Sequence, residues 1–137
     1  GEQAAVQRVF AEHAIETRHQ HQRLTARLEQ LGGTPSVLKS FLVHVFNFTQ
    51  RTAHLGQEPA EKSSQNLIVA FGIENSKIAM YEELAVVAAF ADDVQTERLA
   101  RIIQEEERAA ARKIWGLIEG CCRQLLMPTV ANRGNVA

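Results

Sequence analysis

Residues 2–31 contain neither proline nor glycine, and their apolar side chains recur every three or four positions. Val6, Val9, Phe10, Leu24, Leu28 and Leu31 share one stripe of a helix, and His13, Thr17 and Gln20 lie on that stripe between them. So long an amphipathic run needs a partner surface for its stripe, and other helices supply the simplest one. Gly32-Gly33 stops the helix. Thr34-Pro35 restarts the chain, with Thr34 expected as the cap and Pro35 as the first helical residue.

The same reading continues downstream. SVLKSFLVHVFNFTQ is short and rich in Val and Phe, and the spacing of Val37, Phe41, Val45 and Phe48 favours helix. HLGQEPAEKSS reads as a loop. A long helix is expected over 60–91, with Leu67, Phe71, Ile78, Ala85 and Ala89 inward. Asp92-Asp93 breaks it and caps another over 94–125, with Leu99, Ile102, Ile103, Ala110, Ile114 and Leu117 inward. Alternating strands and hairpin turns are nearly absent. The expected fold is an all-α antiparallel four-helix bundle over 1–127, with a flexible tail over 128–137.

Composition narrows the function. The 137 residues suit one domain with a real core, and 15 basic against 16 acidic residues leave a net charge of −1. That balance argues against nucleic acid or an anionic membrane as the main partner. No apolar run approaches the roughly 20 residues of a membrane span, and GEQAAVQRVF does not read as a signal peptide. Cys121 and Cys122 are adjacent and read as reduced thiols, so a cytoplasmic protein is expected. No Ser/His/Asp or Cys-based nucleophile arrangement supports a hydrolase.

Acidic residues on inner faces are the informative feature. Glu74 falls inside its helix's apolar stripe, with Glu82 and Tyr81 nearby. In QEEERAA the spacing puts Glu106 inside, Glu107 on the flank and Glu105 in solvent. His13 lies near the centre of the first stripe, Glu16 at its edge and His19 well away from it. A buried ionised carboxylate costs several kcal/mol unless paired. Convergent carboxylates and imidazole suit iron, manganese or zinc. The alternative is that Lys77, one turn from Glu74 and otherwise a solvated-face residue, pairs with it, and that His13 and Tyr81 are ordinary core residues.

Taken in order, EHAIETRHQHQRLTARLEQLGG, PSVLKSF, ENSKIAMYEEL and RIIQEEERAAARKIW resemble the YciE/YciF family of ferritin-like proteins. His13, Glu16 and Thr17 match its H-x-x-E-T turn; Glu74, Ile78, Ala79 and Tyr81 match its E-H-x-E-I-A-x-Y segment; Glu105 to Glu107 match its closing acidic helix. The resemblance implies a ferritin-like bundle, a stress-associated role and a di-iron or related carboxylate centre. Four departures bear on that centre. Lys77 replaces the second acid, Asn75 replaces the histidine, Ala109 and Ala110 stand where a last-helix histidine belongs, and the family's first helix is expected to be absent from residues 1–137. The expected ligands are Glu16, Glu74 and Glu106 with His13, holding one ion of iron, manganese or zinc rather than a pair. The competing expectation is a metal-free bundle, with Lys77 in place of the metal's charge, acting through partner binding or oligomerisation. An apolar groove left by the missing helix would be covered in a homodimer or higher homo-oligomer.

Overall fold

A computed structural model describes residues 1–52 and 63–134; side chains are described except at 2, 3, 63–65 and 128–134. Four helices are present among these residues: α1 (Glu2–Gln30), α2 (Val37–Thr52), α3 (Ser63–Phe90) and α4 (Val94–Gly134). They form the expected all-α bundle. α3 and α4 share the most extensive contact, α1 packs against α4 and α2, and α2 packs against α3. The loop expected between α2 and α3 lies largely outside the described residues. α4 runs nine residues past its expected end at 125, to Gly134.

The stops are local chemistry. Gly32 takes the left-handed conformation (φ 74°) that ends α1, and its N–H donates to the Glu29 carbonyl. α2 is capped by Ser36 rather than Thr34: the Lys39 N–H donates to Ser36 Oγ at 3.1 Å, which leaves Pro35 just outside the helix. Its buried stripe is Leu38, Leu42, Val45 and Thr49, one residue on from Val37, which is 71% exposed. At the α3–α4 turn Asp92 adopts φ 56°, its N–H donates to the Ala89 carbonyl, and the Asp93 N–H donates to the Ala88 carbonyl. Those two bonds satisfy the carbonyls that α3 leaves unpaired at its end.

Asp93 then caps α4. Its carboxylate accepts from the Thr96 backbone N–H at 3.0 Å and the Thr96 hydroxyl at 2.6 Å, and takes two 2.9 Å bonds from the Arg27 guanidinium. Arg27 also reaches Gln30, Gln95 and Thr96, so one side chain ties the end of α1 to the start of α4. Burial alone would raise the Asp93 carboxyl, but the Thr96 and Arg27 hydrogen bonds outweigh it and hold the group below its ordinary 3.8. A depressed carboxylate stabilises the fold above its unfolded value and loses that contribution as pH falls through the folded one. Asp93→Asn is therefore expected to flatten the loss of urea stability between pH 5 and 2 and to cost little as a cap; Asp93→Ala should cost about 1 kcal/mol or more at neutral pH. An unchanged acid limb in Asp93→Asn would contradict this role.

Two apolar clusters make the core. One joins Leu24 of α1, Leu38, Leu42 and Val45 of α2, Leu84, Ala85 and Ala88 of α3, and Ala100 and Ile103 of α4. The other joins Val6, Leu67, Ala70 and Ile114 from α1, α3 and α4. Between them, the buried positions of α3 at 74 and 77 and of α4 at 107 are charged, and α1 contributes His13, half-buried, and Gln20. The bundle thus carries a polar layer across its middle.

Candidate metal centre

The layer is built by register. α3 buries Leu67, Ala70, Glu74, Lys77, Tyr81, Leu84 and Ala88 at alternating three- and four-residue steps. α4 does the same with Thr96, Ala100, Ile103, Glu107, Ala110 and Ile114. Such steps keep one seam facing the bundle axis. Glu74, Lys77 and Glu107 occupy positions where leucine would be ordinary.

His13, Glu74 and Glu107 each offer a ligand atom, and these atoms lie within 4.8 Å of one another. His13 Nε2 is 2.7 Å from Glu74 Oε1. A carboxylate only accepts, so Nε2–H points to Glu74, and Nδ1 is left without a hydrogen-bond partner among the described residues. Glu74 Oε2 and both Glu107 oxygens are likewise buried and without hydrogen-bond partners there. Lys77 Nζ stands 3.7 Å from Glu74 Oε1, and both side chains are only 2% exposed. The solvated-face reading of Lys77 is thus corrected: its position one turn from Glu74 on the inner seam buries it as the glutamate's counter-ion. One ammonium balances one of two buried carboxylates, and the second calls for a further cation or a proton.

The other expected site residues lie around this group. Glu16 is part-exposed, with Oε2 3.8 Å from His13 Nδ1. Burial raises the Glu16 carboxyl above its ordinary 4.5; His13 offsets this in part, while the charges of Glu106 and Glu74 add to it and Lys113 opposes them. Glu106 does not join the cluster. Both its oxygens are taken by Arg23 of α1, one at 2.7 Å, and the pair is part-exposed. Glu107 holds the inward position instead. The α4 face is turned by about one residue from the expected stripe, and Ile102, expected inward, is 49% exposed. Glu82, expected beside the stripe centre, pairs with Arg101 on the surface. Among the other histidines, His21 stacks on Phe46 and His19 is exposed.

Tyr81 closes the layer toward the larger apolar cluster. Burial holds its hydroxyl well above the ordinary 10, with only weak opposition from nearby Thr49 and Arg23. Its oxygen has no hydrogen bond of acceptable geometry among the described residues. Tyr81 is the chain's single tyrosine, so phenolate absorbance reports it alone. A raised acid stabilises the fold below its unfolded value and loses that contribution as pH rises. Phenolate is therefore expected to appear only together with alkaline unfolding, at a pH above 10. Reversible titration near 10 in the folded protein would contradict this burial.

Residues 2–127 match the family described as "domain of unknown function (DUF892)". The chain belongs to the DUF892 family. DUF892 is a ferritin-like type of family, which agrees with a four-helix bundle in which α3 and α4 turn carboxylates inward beside a histidine of α1. No curated protein and no solved structure matches the chain. No helix of the described residues is long and apolar enough to cross a membrane.

The donor set passes the test that a ferritin-like metal centre sets, for one ion. His13, Glu74 and Glu107 bring ligand atoms together from three helices, three of the four carboxylate oxygens have no hydrogen-bond partner among the described residues, and such oxygen and nitrogen donors suit iron, manganese or zinc. A dinuclear centre fits less well. Its usual set is four glutamates and two histidines, and the described residues bring together two glutamates and one histidine, with a lysine beside them.

Proposed function

We propose that this DUF892 bundle binds one divalent transition metal between His13, Glu74 and Glu107, a reduced form of the ferritin-like carboxylate centre. The observation that carries the reading is Glu107: a fully buried carboxylate with no hydrogen-bond partner among the described residues, beside a second carboxylate and an imidazole. Charge supports the count. Glu16, Glu74 and Glu107 bring three negative charges when ionised, and Lys77 with one divalent ion brings three positive ones. A cation in the layer would itself favour the ionised form of Glu16.

Each residue then has a stated part. Glu74 and Glu107 supply the anionic oxygens, His13 supplies the imidazole, Lys77 holds the charge a second ion would otherwise bring, and Glu16 sits between the layer and solvent. A bound ion there supplies Lewis acidity, and iron or manganese adds one-electron chemistry. The two apolar clusters hold bulk water away from both ends of the layer. The finer likeness to YciE/YciF proteins, a stress-associated role and a cytoplasmic place belong to this proposal. So does a homo-oligomer, for which exposed Leu125, Leu126 and Met127 of α4 offer an apolar surface.

One observation favours the metal-free reading: Lys77 already neutralises Glu74 at 3.7 Å. Calorimetric titration of chelator-treated protein with Mn²⁺, Fe²⁺ and Zn²⁺ separates the two. One ion per chain is expected for at least one metal. Absence of stoichiometric binding by wild type, with binding gained in Lys77→Glu, would replace the proposal with the metal-free bundle.

A further inference from the structure

The outer seam between α3 and α4 is closed at one end and open at the other. Toward the α3–α4 turn Arg101 pairs with Glu82, and the Gln104 amide donates to Glu82 Oε2 and to the Ile78 carbonyl, each at 3.0 Å. Past Ile78 the seam widens into a groove of about 560 Å³. Its floor is Ile78, Ala111 and the ring of Phe71, which meets Trp115 with centroids 5.2 Å apart and planes tilted 45°. The small side chain of Ala111 leaves the space that a larger residue would fill. Arg108 and Arg112, one helical turn apart on α4, form the rim with Asn75.

Two features set this groove apart from an ordinary surface crease. Trp115 is 63% exposed, and an exposed indole tilted against a second aromatic ring presents an apolar face to a ligand. The rim also carries more positive than negative charge. Arg108 is partnered by Glu105, whereas Arg112 makes no ion pair among the described residues. Guanidinium forks recognise oxyanions with two parallel hydrogen bonds, and groups on the rim of an apolar groove fix the polar end of a ligand whose body the groove covers.

We propose that this groove is a binding site for a small amphiphilic carboxylate, its aromatic or short apolar body lying over Phe71, Ile78 and Trp115 and its carboxylate held by Arg112 with help from Arg108. Charge complementarity selects this occupant: a neutral or cationic ligand of the same shape leaves Arg112 unused. The site is separate from the metal centre. Glu74 and Glu107 face the bundle axis, while their neighbours Asn75 and Arg108 line the outer seam, so neither proposal stands or falls with the other.

Trp115 is the only tryptophan in the chain, so its indole N–H gives a single amide-correlation signal in an ¹⁵N-labelled sample. Titration with 1-naphthaleneacetate, monitored at that signal and at the arginine Nε signals, should give a saturable one-to-one shift. Arg112→Gln, a surface change that leaves the core intact, should weaken binding about tenfold, the loss of one charge-assisted interaction. The neutral analogue 1-naphthalenemethanol should bind wild type about tenfold more weakly and Arg112→Gln no worse than wild type. The proposal is overturned by the absence of saturable shifts, or by equal affinity for both compounds in both proteins. It is also overturned if the Trp115 signal shifts on dilution alone, which would show a second copy of the chain covering the groove.

Discussion

Lys77→Met is expected to lower the stability of the metal-free protein by about 3–5 kcal/mol, the usual cost of removing one partner from a buried ion pair. Methionine is close to lysine in length and as unbranched, so packing in the seam survives the exchange. What is lost is the ammonium 3.7 Å from Glu74, in a layer that also holds Glu107. Two buried carboxylates then lie close together beside His13 with no fixed cation, and folding must bring in protons or a metal. A divalent ion should therefore recover much of the loss. Ligand at 100 times its dissociation constant stabilises a fold by about 2.7 kcal/mol. Urea unfolding with chelator and with saturating Mn²⁺, for wild type and variant, reads both numbers. A loss under about 1 kcal/mol in chelator would mean that Lys77 does not balance Glu74 in the way described.

Glu107→Gln should act with opposite signs on its two readouts. In chelator the variant is expected to be more stable than wild type by about 1–3 kcal/mol, because the change removes the carboxylate that Lys77 leaves unbalanced and keeps the side chain's shape. Metal affinity should fall by more than the 10–100-fold typical of losing an outer-shell partner, since an anionic ligand itself is gone. A merely structural glutamate would not show this pairing of gained stability with lost binding. Glu106→Gln is the matching control. Its carboxylate belongs to Arg23 at the part-exposed α1–α4 seam, where an ion pair is worth about 0–1 kcal/mol, and metal binding should be unchanged.

Much of this architecture was legible from spacing. The proline- and glycine-free run of α1, the Gly32 stop and the Asp92–Asp93 break have local causes, and each appears where the sequence puts it. Glu74 was legible as an inward acid because Leu67, Ala70, Leu84 and Ala88 keep its register on either side. The choice among Glu105, Glu106 and Glu107 was harder. Three consecutive acids point about 100° apart, and α4 packs against both α1 and α3, so apolar residues such as Leu99 and Ile102 widen its stripe and shift the apparent centre. The stricter signal was the alternating step through Ala100, Ile103, Glu107, Ala110 and Ile114, which excludes Glu106. Lys77 lies on the equivalent step of α3 with Glu74 and Tyr81. Its charge suggested solvent, and burial of the seam with Glu74 as its partner one turn away on the same helix overrode that preference. The cap of α2 differs for a similar reason: Thr34 and Ser36 both suit a cap, and only the hydrogen bond to the Lys39 N–H distinguishes them.

The central claim is that His13, Glu74 and Glu107 hold a single cation, and a crystal grown with Mn²⁺ tests it most directly through anomalous scattering at the manganese absorption edge. One peak inside the bundle, within bonding distance of an imidazole nitrogen of His13 and carboxylate oxygens of Glu74 and Glu107, is the expected result. Two peaks at that level, or a peak-free layer with Lys77 bridging both glutamates, would contradict it.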